Sequence, residues 1–174
     1  MKFNLFGVVD RKTTARVKAV LETPVEGDLL EVTIDSEGGS VFDGLSIYSN
    51  IQAFEGPKTA VIESAAFSIA SYIAMAFDQV AIVKNGWMMI HNPSVQANGG
   101  PDELKRQSEL LAKLKVEMVS AYAAKTGIPP ETIERMMDEE TYLNAEEALA
   151  AGFVDKIIDR ETTSQIEPTA LNSM

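Results

Sequence analysis

An α/β fold with largely parallel strands is the architecture this sequence predicts, and three observations predict it. Short apolar runs alternate with segments whose apolar residues recur at helical spacing. Each strand-plus-helix unit occupies about 25 to 30 residues, enough for a parallel crossover. Gly, Pro and Asn-Gly signals punctuate the joints.

Residues 5–10, "LFGVVD", make a short apolar strand, and residues 11–23, "RKTTARVKAVLET", follow with helical spacing. After the turn "PVEGD", residues 29–35, "LLEVTID", are a second strand, bounded by "SEGGS". Its two glycines permit backbone angles closed to other residues, and on composition the motif is a tight strand-to-helix turn. Without the Lys of a phosphate loop or the third Gly of a dinucleotide fingerprint, it calls for no cofactor. In "VFDGLSIYSNIQAF" the residues Val41, Leu45, Tyr48 and Ile51 form one apolar stripe, ended by Gly56 and Pro57.

"KTAVIE" (58–63) is a third strand. Residues 63–76, "ESAAFSIASYIAMA", are expected to be a helix, apolar enough to be buried almost all round. "QVAIVK" (79–84) and "WMMIH" (87–91) are strands split by an Asn-Gly turn. From Pro101 to Lys125 charges crowd in while Leu104, Leu111, Leu114 and Met118 keep a helical stripe, giving a long amphipathic helix. Two shorter helices, "IPPETIERMMDEE" and "NAEEALAAG", precede a last strand, "FVDKIID". One domain over residues 1–159 and a loose polar tail over 160–174 are expected.

Composition narrows the chemistry. With no cysteine and one histidine, His91, the usual zinc ligand sets cannot be assembled and thiolate chemistry is excluded. The net charge of −11, with eleven Asp and Glu against three Lys and Arg from Gly127 onward, opposes binding to nucleic acid or anionic membranes. The start has too short an apolar run for a signal peptide, and a cytosolic protein is expected.

Three serines, Ser64, Ser68 and Ser71, stand at i, i+4 and i+7, so helical spacing cannot choose a nucleophile among them. Small packing residues are their ordinary role. His91 is the only imidazole able to activate a serine. Asp138, Glu139 and Glu140 could each orient it.

In this order the motifs resemble the ClpP family of serine peptidases, most closely its branch of phage prohead (head-maturation) proteases, from about Leu5 to Asp159. The carrying stretches are "IDSEGGSVFDGLSIYSNIQAF", "SAAFSIASYIAMAFDQVAIVKNGWMMIHNPS" and "TGIPPETIERMMDEETYLNAEEALAAGFVD". The resemblance implies a ClpP/crotonase-like fold of repeated ββα spiral units. It implies Ser68 as nucleophile, His91 as general base, and Asp138 as acid from Met-x-Asp-x-Glu-Thr, with Glu139 next. Gly39 and Ile69 would supply oxyanion N–H groups. Ser64 then takes the place of a usual Gly, and Ser71 a small helix position. Glu37 stands for the usual Pro, and Phe67 for a small residue.

A serine endopeptidase acting on phage scaffold or capsid proteins, without cofactor and as a homo-oligomeric ring, is the expectation. The rivals are an inactive ClpP-like assembly subunit, which Glu37 and Phe67 would suit, and a crotonase-type acyl-CoA enzyme. A lysine base, Lys84, is a minor variant.

Overall fold

The computed structural model describes residues 1–22 and 29–159. The expected turn over 24–28 and tail over 160–174 lie outside the described residues. In chain order the elements are β1 (Lys2–Val9), α1 (Arg11–Leu21), β2 (Leu30–Gly39), α2 (Val41–Gln52), β3 (Lys58–Phe67), α3 (Ile69–Ala74), β4 (Gln79–Val83) and β5 (Trp87–Ile90). Then follow α4 (Pro101–Thr126), α5 (Pro130–Asp138), β6 (Thr141–Asn144), α6 (Ala145–Ala150) and β7 (Lys156–Ile158). The α/β expectation holds.

The strands form one sheet in the order β1-β2-β3-β4-β7, all pairs parallel, while β5 lies beside β3 and carries β6 antiparallel. One register row, Leu5, Ile34, Ile62, Ile82 and Ile157, crosses five strands, and its first four side chains are almost wholly buried. Burying each such side chain is worth about 1.5–3 kcal/mol, so this row is the sheet's main apolar anchor. β4 pairs with the first half of β3 and β5 with its second half, so both follow the edge of β3 away from β2.

Local chemistry sets the helix starts. Asp10 caps α1 by accepting the Thr13 N–H at 2.8 Å, and Ser40 caps α2 by accepting the Asp43 N–H at 3.3 Å. Asn144 and Glu147 form a reciprocal capping box on α6 with both bonds at 2.9 Å. Lys125 and Asp155 form an ion pair at 2.9 Å, and Asp155 also accepts the Val80 N–H at 2.7 Å, which ties α4 and β7 to β4.

Several expectations are corrected. The stretch 63–76 is not a helix throughout. β3 runs on to Phe67, because Ala65, Ala66 and Phe67 pair with Trp87, Met88 and Met89, and the ladder outweighs alanine's helix preference. Ser64 is therefore on a strand and exposed, and shares no helical face with Ser68 and Ser71. "SEGG" is the end of β2 rather than a free turn: Gly38 and Gly39 pair with Val8 and Val9 across a register shift. The fully buried face of α2 is Gly44, Ile47 and Ile51, with Val41, Leu45 and Tyr48 flanking it half-covered. The buried stripe of α4 begins only at Leu114 and continues through Met118, Val119 and Tyr122, while Leu104 is exposed. The acidic stretch after Asp138 leaves the helix, and β6, unforeseen, returns along β5.

Candidate active site

β2, β3 and β5 are parallel, and their C-terminal ends bring Gly38–Gly39, Ser68 and His91 to one end of the sheet. Open parallel sheets bind ligands at that end.

Ser68 lies between β3 and α3 with φ 56° and ψ −129°. Only one other non-glycine among the described residues, Glu140, has positive φ. Such a backbone costs on the order of 1–3 kcal/mol and persists only where the surroundings over-determine it. Here the Ser68 N–H donates to Met89 O at 3.0 Å, extending the β3–β5 ladder by one rung, and its carbonyl accepts the Ser71 N–H at 3.0 Å. This sharp strand-to-helix turn presents the hydroxyl to the residue that follows β5, His91.

Ser68 Oγ and His91 Nε2 are 2.6 Å apart. With Ser68 donating, Nε2 is the acceptor and the imidazole proton sits on Nδ1, the arrangement in which histidine can take the serine proton. Among the described residues Ser68 is the one hydrogen-bonding partner of the His91 side chain.

Asp138, at the end of α5, does not bond His91. Its Oδ1 accepts from Asn92 Nδ2 at 2.8 Å and from Lys115 Nζ at 2.6 Å. Those two donors, Asn92 first, hold its carboxyl below the ordinary carboxylate value. Asn92 follows His91 in the chain, so the carboxylate is tied to the residue next to the histidine. The side-chain oxygen of Asn92, Oδ1, is buried without a partner. Glu139 is exposed, and Glu140 accepts from the Tyr142 hydroxyl at 3.0 Å. Lys84 is exposed beside Glu63, Asn85 and Asp159, and makes no hydrogen bond to Ser68.

The glycines are explained by close approach. A Cβ on Gly38, whose φ is +97°, would lie 2.7 Å from Ser68 Cβ and 2.8 Å from Phe67 O. One on Gly39, at φ +150°, would lie 2.3 Å from Val9 O. Ser36 fixes this strand end by accepting the Gly38 N–H at 3.1 Å and donating to Gly7 O. Glu37 points to solvent, so its charge is hydrated beside the site. Phe67 meets Tyr142 edge-on, the ring centroids 5.7 Å apart.

Ser36, Asn92, Lys115 and Tyr122 were not singled out by the sequence. The one available signal was for Tyr122, which continues the α4 stripe four residues after Met118, where a buried hydroxyl demands a partner. Among the described residues no group of His, Asp and Glu could hold a metal ion, and no helix is long and apolar enough to cross a membrane.

Among known families, the one described as Clp protease matches residues 5–161. The ATP-dependent Clp protease proteolytic subunit of Deinococcus radiodurans is 30% identical over 133 residues, covering 75% of this chain. The match spans 65% of that relative's length, just under two thirds.

Proposed function

Because the chain belongs to the Clp protease family, we propose that it is a serine endopeptidase that cleaves peptide bonds by acyl transfer from Ser68. The observation that carries this reading is the 2.6 Å contact between Ser68 Oγ and His91 Nε2 at a backbone turn strained in the manner of a nucleophile elbow.

In the proposed cycle Ser68 Oγ attacks the substrate carbonyl while its proton passes to His91 Nε2. The same proton then goes to the leaving amine. Water, deprotonated by His91, releases the acyl group and regenerates the serine. The developing oxyanion takes the N–H groups of Gly39 and Ile69. Two features support them: Gly39 ends its strand exposed, next in the chain to Gly38, which abuts Ser68, and Ile69 N–H lies in the first turn of α3, where no intrahelical acceptor exists. Such a donor is worth about 3 kcal/mol of barrier. Asp138 is the proposed acid. Both of its present bonds fall on Oδ1, which leaves Oδ2 to accept the Nδ1 proton of His91 once the carboxylate moves within reach.

The substrate is an extended segment laid beside the strand end after Gly39, paired through its backbone. The sequence resemblance to prohead proteases supports phage scaffold or capsid proteins as natural substrates, and membership of the family supports a ring of identical copies.

A fluorophosphonate probe followed by peptide mapping tests the reading. Label is expected on Ser68, lost in Ser68→Ala and slowed at least about a hundredfold in His91→Ala. An unlabelled wild-type protein would favour the inactive assembly subunit instead. Undiminished labelling of His91→Ala would move the base to a lysine such as Lys84.

A further inference from the structure

Ser71 was given only a packing role by its sequence context, yet its side chain is fully buried and makes three polar contacts. Its Oγ lies 2.6 Å from Ser68 O, 2.9 Å from Met89 O and 2.8 Å from the Tyr122 hydroxyl. A hydroxyl has one hydrogen, and both carbonyls can only accept. The Ser71 hydrogen is therefore committed to Ser68 O, shared with Met89 O, and Tyr122 must be the donor to Ser71 Oγ.

These bonds converge on the two peptide groups that flank the Ser68 Cα. Met89 O receives the Ser68 N–H, while Ser68 O receives both the N–H and the hydroxyl of Ser71. The backbone on either side of the Ser68 Cα is thus held at three points, and the two torsions that place Oγ against His91 lie between them. Tyr122 is wholly buried on α4, its ring edge-on to Tyr72 and Phe153. Burial raises its hydroxyl above the ordinary tyrosine value, which keeps it a neutral donor.

We infer that Ser71 and Tyr122 are positioning residues for the reaction: Tyr122 fixes the Ser71 hydroxyl, and Ser71 holds the Ser68 carbonyl so that the strained turn presents Oγ to His91. Neither touches the substrate. The inference rests on the reading of Ser68 as nucleophile and extends it to a buried pair joining α3 to α4. A residue that merely filled space would affect folding without a selective effect on the chemical step.

The test combines Ser71→Ala, Tyr122→Phe and the double variant, each checked by thermal unfolding and assayed for peptide hydrolysis and for the rate of fluorophosphonate labelling. Expected are losses in kcat of on the order of a hundredfold for Ser71→Ala and tenfold for Tyr122→Phe, with KM nearly unchanged. The double variant should be no slower than Ser71→Ala, because Tyr122 acts through Ser71. Rates within twofold of wild type in folded single variants, or additive losses in the double, overturn the inference.

A wild-type protein that takes no label would remove the nucleophile reading but not the clamp. A crystal structure of Ser71→Ala then decides it. Ser68 leaving its positive φ supports the clamp, and an unchanged φ overturns it.

Discussion

Ser68 sets reactivity against stability within a single residue. Its φ of 56° and ψ of −129° suit glycine better than any residue with a Cβ. Comparing Ser68→Gly with Ser68→Ala isolates that strain, since both lack the hydroxyl and its bond to His91. The glycine variant is expected to be more stable by about 1 kcal/mol, measured as the shift in urea midpoint at constant slope. Both should be inert toward a fluorophosphonate. Equal stability of the two variants would mean that the turn stores no strain.

Asp138 supplies a second test at this scale. Asn92 and Lys115 both stabilise its charged form, so its carboxyl titrates below the ordinary carboxylate value. Whatever the pair adds to stability is therefore complete above the ordinary range and is lost as pH falls through the lowered value. Because Asp138 is exposed, that effect is screened and small. An NMR titration of its carboxyl carbon should show the midpoint rising toward the ordinary value in either Asn92→Ala or Lys115→Gln. A midpoint unmoved in both variants would refute the contacts.

Between elements, the packing of α2 on α3 decides where the nucleophile turn sits. A Cβ on Gly44 would lie 2.1 Å from Ile69 Cγ1, and Ile69 is fully buried with no room to swing aside. Gly44→Ala gains about 1 kcal/mol of helix propensity but faces an overpacking cost of about 1–3 kcal/mol. The clash should win. Urea denaturation is expected to show a net loss of stability, and labelling of Ser68 should slow because Ile69 adjoins it. A stabilised, fully reactive Gly44→Ala protein would mean that α2 yields without disturbing α3.

The same elements show what the sequence could reveal. α1 and α2 were legible from helical spacing, and β2 and β4 from β-branched runs between breakers. "ESAAF" was not, because its small residues have no period of their own. Its conformation comes from β2 and β5 on either side, partners distant in sequence. β6 was hidden in the same way, since "TYLN" becomes a strand through pairing with β5. For the site, the sole histidine and the glycine pair were visible as motifs, and the resemblance singled out Ser68. The engagement of Asp138 by Lys115 depends on how α4 lies against α5, which no local pattern encodes.

Over the whole molecule, charge and shape bear on assembly. Among the described residues, α4 is exposed along nearly all of Pro101–Leu110, and it carries Leu104 and Val116 open to solvent. Exposed apolar side chains along an otherwise charged helix give another copy points of contact, which agrees with the proposed ring. Against it stands a net charge of −11 on every subunit. Copies repel one another over a distance set by the screening length, about 14 Å at 0.05 M salt and about 4 Å at 0.5 M. Burial of apolar area is not weakened by that change. Raising salt from about 0.05 to 0.5 M should therefore shift the population toward the oligomer, seen as an increase in mass by light scattering at fixed protein concentration. Substituting Leu104→Glu and Val116→Glu should reverse the shift while leaving the Ser68–His91 pair in place. Monomer at every salt concentration would remove the ring. An assembly that weakens with salt would instead require contacts made by opposite charges, and Leu104 and Val116 would not be the residues that form it.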